Sequence, residues 1–418
     1  MPHLLIIDLP GGNDFDILDA ALRGGHEFTF LTSDLAHYRR QSEIAARLDQ
    51  ALACMEIPLS DYGATETTVL DWHRRHPVDG VLCLVDIRLV EAAKLAKAIG
   101  VRFISPATAA LLRDKSSVRA RLREHGIRQP DFLAAEDTAS LKQAVQDLQP
   151  PVLIKPVDGY GSQNIVLLQD LADLDPWISP LDDMLPAQTE YGFGVRGMSK
   201  LLVERYLNGP LLGCDTMSVS GRHYLIGVHQ KSMFPPPSFA IRGGTFTPRN
   251  SDHEPLEGYV RSVLDAVDFE CGAAHLEIIM TPEGPHLVEI NGRLVGAKIP
   301  RLLNCALNTS IHDALIRLHL DELDPRTLQN KTSDVAVSRW LVANTSGTLK
   351  RIDLPEHGGL GIRHIDLLAR VGDKVSLPFE NADRLGMVVA LAKTAERAEL
   401  LADNYVSSIG LTISEDIE

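Results

Sequence analysis

The chain reads as a multidomain protein of the α/β and α+β classes. Apolar runs alternate with helical stretches over roughly the first hundred residues, the pattern of an open parallel sheet. Further on, strand-like runs come in neighbouring pairs joined by turn residues, the pattern of antiparallel hairpins. A length of 418 residues also exceeds one ordinary domain and implies about two to four.

In the first part, His3 to Leu9 forms a strand closed by the turn Pro10, Gly11 and Gly12. A helix from about Asp14 to Arg23 leads to a strand from His26 to Thr32. Val78 to Val85 is a buried strand, Arg88 to Ile99 a helix ended by Gly100, and Val101 to Ile104 a further strand. The glycine pair lacks a GxGxxG arrangement, so a plain turn is the simpler reading there. Ser105 to Gly126 reads as two helices, the second capped by Asp114 and placing Lys115 in its first turn.

Pro151 to Leu168 carries apolar runs either side of a glycine-bearing loop, Gly159 to Asn164, with Lys155 on the first strand. Such a loop either folds over phosphates as a lid, offering backbone amides, or is an ordinary hairpin bend. Residues 175–200 are rich in Pro, Gly and polar side chains and read as a loop. Leu201 to Leu207 is a strand. Asp215 to Val219 and His223 to His229 pair about Gly221, and Lys231 follows. Met233 to Arg249 contains Pro235, Pro236, Pro237, Gly243 and Gly244 and is expected to be a functional loop, with Arg242 either a substrate contact or a surface charge. Pro255 to Val267 is a helix, as is Ser310 to about His319. Asp334 onward is a smaller α+β unit ending in a helix from about Thr394 to Val406.

The most informative stretch is His275 to Arg293, two strands joined through Thr281, Pro282, Glu283 and Gly284. Centred on Glu283, the hairpin sets Glu277 opposite Glu289 and His275 opposite Asn291. Alternation puts these on one face and Leu276, Ile278, Val288 and Ile290 on the other, toward a core. Two opposed carboxylates on a half-buried sheet repel unless a cation joins them. Two carboxylates and an amide oxygen make a hard oxygen site suited to magnesium, with Arg293 nearby for a phosphate; the alternative is a polar hairpin face in solvent.

Composition bounds the partners. Hydrophobic residues make up 44% of the chain, enough for packed cores, and the net charge of −15 argues against a general nucleic-acid or anionic-membrane binder. The five cysteines are scattered, without a CxxC pair, which fits a reduced, cytoplasmic protein. No signal peptide, and no apolar run long enough to span a bilayer, is visible.

In order, Asp114-Lys115, the IKP…GYGS hairpin, VERYL, Lys231, HLE and EIN.R resemble the ATP-grasp superfamily. The resemblance implies a Rossmann-like domain (1–105), a small lobe bearing the glycine lid (106–200), a large lobe bearing the metal hairpin (201–325) and a C-terminal α+β domain (326–418). ATP would lie between the lobes, with one or two Mg2+, for which Mn2+ may substitute. The resemblance gives Lys115, Lys155, Gly159, Gly161 and Ser162 to the phosphates, Glu204, Tyr206 and Leu207 to adenine, and Asp215 to the ribose region. It gives the metal to Glu277, Glu289 and Asn291, and catalytic contacts to Arg293, Lys231 and His275, the last as a substrate or phosphate contact.

Within the superfamily, the loop RGGTFTP, the run AHLEIIMTPEGPHLVEINGRLVGAKIP and the C-terminal tail are most similar to L-amino-acid ligases. That implies dipeptide synthesis through an acyl phosphate with release of ADP, Arg242, Gly243, Gly244 and Ala297 as substrate contacts, and a homodimer. One departure is Leu211, where the family places a glutamate for the ribose. The rival readings are an ATP-grasp ligase or carboxylase acting on a purine precursor or bicarbonate, and a nucleotide-binding sensor without turnover.

Overall fold

The computed structural model describes residues 1–12, 14–57, 62–159, 165–175, 200–235, 240–296, 298–329, 334–355, 359–378 and 381–414. The chain begins with β1 (His3–Ile7), α1 (Asp16–Arg23), β2 (Glu27–Thr32), α2 (Leu35–Arg39), α3 (Ser42–Leu48), β3 (Ala53–Glu56), α4 (Tyr62–Arg75), β4 (Gly80–Cys83) and α5 (Leu89–Ile99). The strands form a parallel sheet in the order β3-β2-β1-β4. β1 and β4 are buried at every position, which is why both read as unbroken apolar runs. Val101 to Ile104 is not a strand, contrary to the sequence expectation. This connector packs Phe103 and Ile104 into the core but makes no ladder, so apolar content alone misassigned it.

Next come α6 (Pro106–Leu112) and α7 (Lys115–Glu124). Asp114 caps α7 as expected, accepting hydrogen bonds from the Ser116 and Ser117 amides. The following unit contains β5 (Phe132–Ala135), α8 (Thr138–Leu148), β6 (Val152–Pro156), β7 (Val166–Leu168) and β8 (Leu201–Arg205), an antiparallel sheet in the order β5-β8-β6-β7. β6 and β7 are the expected hairpin. β5 and α8 were not anticipated, although Leu141, Ala144, Val145 and Leu148 of α8 recur at helical spacing and form this unit's core. Residues 160–164 of the glycine-bearing loop, with Gly161 and Ser162, lie outside the described residues, as do residues 176–199.

The remainder comprises β9 (Leu211–Val219), β10 (Arg222–Met233), β11 (Ile241–Pro248), α9 (Glu254–Ala266), β12 (Gly272–Thr281), β13 (Gly284–Asn291), α10 (Ile299–Leu307), α11 (Ile311–His319), β14 (Val335–Val342), β15 (Gly347–Asp353), β16 (Ile362–Leu367), β17 (Lys374–Val375), β18 (Arg384–Ala392), α12 (Ala395–Ser408) and β19 (Gly410–Ser414). One eight-stranded sheet runs β13-β12-β9-β10-β11-β14-β18-β16, and a small sheet runs β17-β15-β19.

The segment expected to be a loop from Met233 to Arg249 is mostly strand. β11 sits inside the large sheet between β10 and β14. Its glycines serve close packing: a Cβ at Gly243 would lie 2.1 Å from the Ser338 carbonyl oxygen, and one at Gly244 would lie 2.2 Å from His229 Nε2.

The hairpin β12–β13 has the expected register at its functional end, with His275 opposite Asn291 and Glu277 opposite Glu289. Beyond Glu277 the register shifts by one, so Ile278 faces Leu287. Leu287, not Val288, therefore enters the core beside Leu276, Ile278 and Ile290.

Candidate active site

Charged side chains from α7, β6 and β8 lie close to those from β10, β12 and β13. From the α7 N-terminus, Lys115 donates its backbone amide to the Val157 carbonyl at 2.9 Å. Its ammonium bonds the Gly159 carbonyl at the start of the glycine-bearing loop and lies 3.0 Å from Glu289 Oε1 on β13. Across the sheet, Lys231 on β10 pairs with Glu277 on β12. Each opposed carboxylate thus holds its own lysine, which answers the repulsion read from the sequence. Burial alone would raise the Glu277 carboxyl; Lys231 and His275 reverse that and hold it well below the usual carboxylate range.

Behind this pair lies a second, deeper one. Lys155 on β6 is 5% exposed and places Nζ 2.6 Å from Glu204 Oε2 on β8. Arg119, one turn beyond Lys115 on α7, approaches Glu204 Oε1 at 2.7 Å and donates to the Val288 carbonyl at 2.7 Å. Burial pushes the Glu204 carboxyl up, but the two cations overcome it and bring it to about 2. Burial lowers Lys155 against the pull of Glu204, helped by the like charges of Arg119 and Lys115.

Both oxygens of the Glu204 side chain are therefore engaged, one by Arg119 and the other by Lys155. Tyr206 is partly exposed, its amide donated to the Pro151 carbonyl at 3.0 Å, and Leu207 is half-buried beside it. Leu211 pairs with Ile279 on the β9–β12 ladder.

His275 Nδ1 meets Asp215 Oδ1 at 2.9 Å, and both residues are buried. Asp215 thus orients an imidazole. The ring lies over Gly213, where a Cβ would come within 2.6 Å of His275 Cε1. His229, which the sequence reading overlooked, is 1% exposed with neither ring nitrogen hydrogen-bonded, and burial lowers it to about 3, reinforced by Lys231 and His275. Arg293 bonds Asp86 Oδ2 through Nε at 2.6 Å and the Leu294 carbonyl through Nη1 at 2.8 Å.

Of the residues expected to contact substrate, Gly244 lies opposite Lys231 and Gly243 opposite Ser232 on the β10–β11 ladder. Arg242 pairs with Asp403 of α12 at 2.8 Å, and Gly243 and Gly244 are packed strand residues, not the loop residues expected. Ala297 lies outside the described residues. Lys298, next to it, reaches Asp14 Oδ1 at 3.0 Å.

Among the described residues, no group of three His, Cys, Asp or Glu side chains is gathered as a metal site. Glu277, Glu289 and Asn291 nevertheless fit magnesium, because the donors are all oxygen, the carboxylates are opposed, and each already holds a cationic group. The sequence places Arg119 one helical turn after Lys115, on the same face of α7, whereas nothing local marks Asp86.

Family comparison agrees with this geometry. An ATP-grasp N-terminal domain matches residues 18–101, an ATP-grasp domain matches 148–300, and L-amino acid ligase C-terminal domain 2 matches 339–414. An uncharacterized protein of Sinorhizobium fredii is 27% identical over 309 residues, covering 72% of this chain but 61% of the relative. An L-arginine-specific L-amino acid ligase of Bacillus subtilis is 22% identical over 84% of this chain and 87% of its own length. The crystal structure of an L-amino acid ligase from Bacillus licheniformis superposes with a TM-score of 0.83 at 20% identity, covering 99% of both chains. The chain therefore carries, in this order, matches to an ATP-grasp N-terminal domain, an ATP-grasp domain and an L-amino acid ligase C-terminal domain, on a fold shared along its whole length with a solved L-amino acid ligase.

Proposed function

We propose that the protein is an ATP-dependent ligase that joins the carboxylate of one amino acid to the amine of another, releasing ADP and phosphate. The observation that carries this reading is the meeting of Lys115 and Glu289 at 3.0 Å, which joins the phosphate-binding helix to the metal hairpin. The C-terminal match and the Bacillus relatives, named as amino acid ligases, support amino acids as substrates.

A substrate carboxylate oxygen attacks the γ-phosphorus, and the bond to the β,γ-bridging oxygen breaks to release ADP. The amine nitrogen then attacks the acyl carbon, the bond to the phosphate oxygen breaks, and the amine loses a proton. Bound magnesium, held by Glu277, Glu289 and Asn291, supplies neutralisation of the phosphate charge.

Lys115 and Lys155 bind phosphate oxygens from the small-lobe side, and Lys231 approaches from the large lobe. Arg293 offers hydrogen bonds to the transferring phosphoryl. His275, its tautomer set by Asp215, presents Nε2 to the substrate. Catalysis is positional and electrostatic and needs no protein nucleophile.

The test is mass spectrometry of products formed from magnesium ATP and a mixed amino-acid pool. Dipeptides with equimolar ADP are expected. Formation of AMP and pyrophosphate, or ADP release that ignores amino acids, overturns the reading.

A further inference from the structure

The parallel sheet has its topological switch between β1 and β4, since β2 and β3 continue on one side of β1 and β4 lies on the other. In such sheets the crevice beyond the strand ends at that point is the usual ligand site. Here the chain fills it with its own cations. Asp86, in the turn after β4, takes Arg293, while Asp14 and Asp16 beyond β1 take Lys298 and Arg301. Three acids of the first domain thus meet three bases that lie within residues 293–301.

Asp86 differs from the other two acids because its partner is Arg293. It is 7% exposed and accepts from both Nε and Nη2 of the guanidinium. With the Leu294 carbonyl taking Nη1, three of the five N–H donors are committed, leaving one on each terminal nitrogen.

The turn that carries Asp86 is itself pinned. Arg88, fully buried two residues on, bonds Asp8 Oδ2 at 2.6 Å beyond the end of β1 and lies 2.6 Å from Glu91 Oε2 on α5. A long, mobile arginine is thereby held by a carboxylate on a rigid mount.

We propose that Asp86 is a positioning residue for ligation, fixing the Arg293 guanidinium so that its two remaining donors meet the transferring phosphoryl group. What Arg293 faces rests on the ligase reading; that Asp86 holds Arg293 does not.

The experiment therefore has two arms. In the first, Arg293 of the free protein is modified with phenylglyoxal and followed by peptide mass spectrometry, in wild type, Asp86→Asn and Asp86→Glu. Faster modification in Asp86→Asn is expected, with Asp86→Glu between it and wild type. An unchanged rate in both variants overturns the proposal.

In the second arm, Asp86→Asn lowers kcat about a hundredfold with KM for ATP unchanged. In an Arg293→Met background it adds no further loss, because Asp86 acts through Arg293. Losses that multiply in the double variant overturn the positioning role. Wild type that forms neither dipeptide nor ADP defeats the ligase reading instead, and the labelling arm still decides whether Asp86 holds Arg293.

Discussion

Lys115 Nζ and Glu289 Oε1 stand 3.0 Å apart, so a lysine from the N-terminus of α7 occupies a carboxylate expected to hold metal. Lys231 does the same to Glu277. On the proposed reading, a divalent ion arriving alone would have to displace these ammonium groups, whereas a nucleotide would draw them onto its phosphates. Mn2+ titrations followed by electron paramagnetic resonance should show weak binding to the free protein and tighter binding with ADP. Lys115→Met should raise the nucleotide-free affinity about tenfold, equivalent to ~1.4 kcal/mol. An unchanged affinity would show that the ion pair does not compete with metal.

Glu289→Gln tests the hairpin itself. The substitution keeps size and removes charge from a half-buried position, so the protein should fold with a near-normal melting temperature. Turnover should fall about a hundredfold or more. Retained ADP release would remove Glu289 from the metal site.

The deeper cluster sets acid stability. Because Glu204 titrates at about 2 in the fold, below its ordinary 4.5, its stabilising contribution is complete above pH 4.5 and is lost as the pH falls toward 2. Glu204→Gln leaves Lys155 and Arg119 buried without a counter-charge and should cost ~3–5 kcal/mol at neutral pH by urea denaturation. The same variant should flatten the acid limb of the stability curve. A steep limb that survives the substitution would assign it to other groups.

Two glycines should respond in opposite directions. At Gly244 a methyl group would press on His229 Nε2, and Gly244→Ala should destabilise the fold by ~1–3 kcal/mol. At Gly258, exposed on α9, a methyl group meets nothing within 4 Å, and Gly258→Ala should stabilise by ~0.5–1 kcal/mol. Thermal unfolding of both proteins checks the pair, and equal effects would refute the packing argument.

What the sequence disclosed was local. Alternation around Glu277 and Glu289 revealed which side chains share a face, because a strand's period of two is written in consecutive residues. The shift beyond Glu277 was hidden, since a bulge leaves no compositional mark, and Val288 was taken for Leu287. β11 was mistaken for a loop because its glycines look like turn residues when their cause is contact with Ser338 and His229. Glu204 paired with Arg119 across 85 positions, and Arg293 with Asp86 across 207, are products of the tertiary fold. No window along the chain contains both partners.

The eight-stranded sheet passes without interruption from β11 into β14, and β18 and β16 continue it. A cut in the connection near Asp334 would sever a hydrogen-bonded ladder and bare the β11 edge to other chains. Recombining this C-terminal segment with the front of a related ligase would therefore ask two unfamiliar strands to match side chains along one seam. Such hybrids should succeed or fail at Gly243, Gly244, Ser338 and Arg339, and those four positions are where a graft would first need repair.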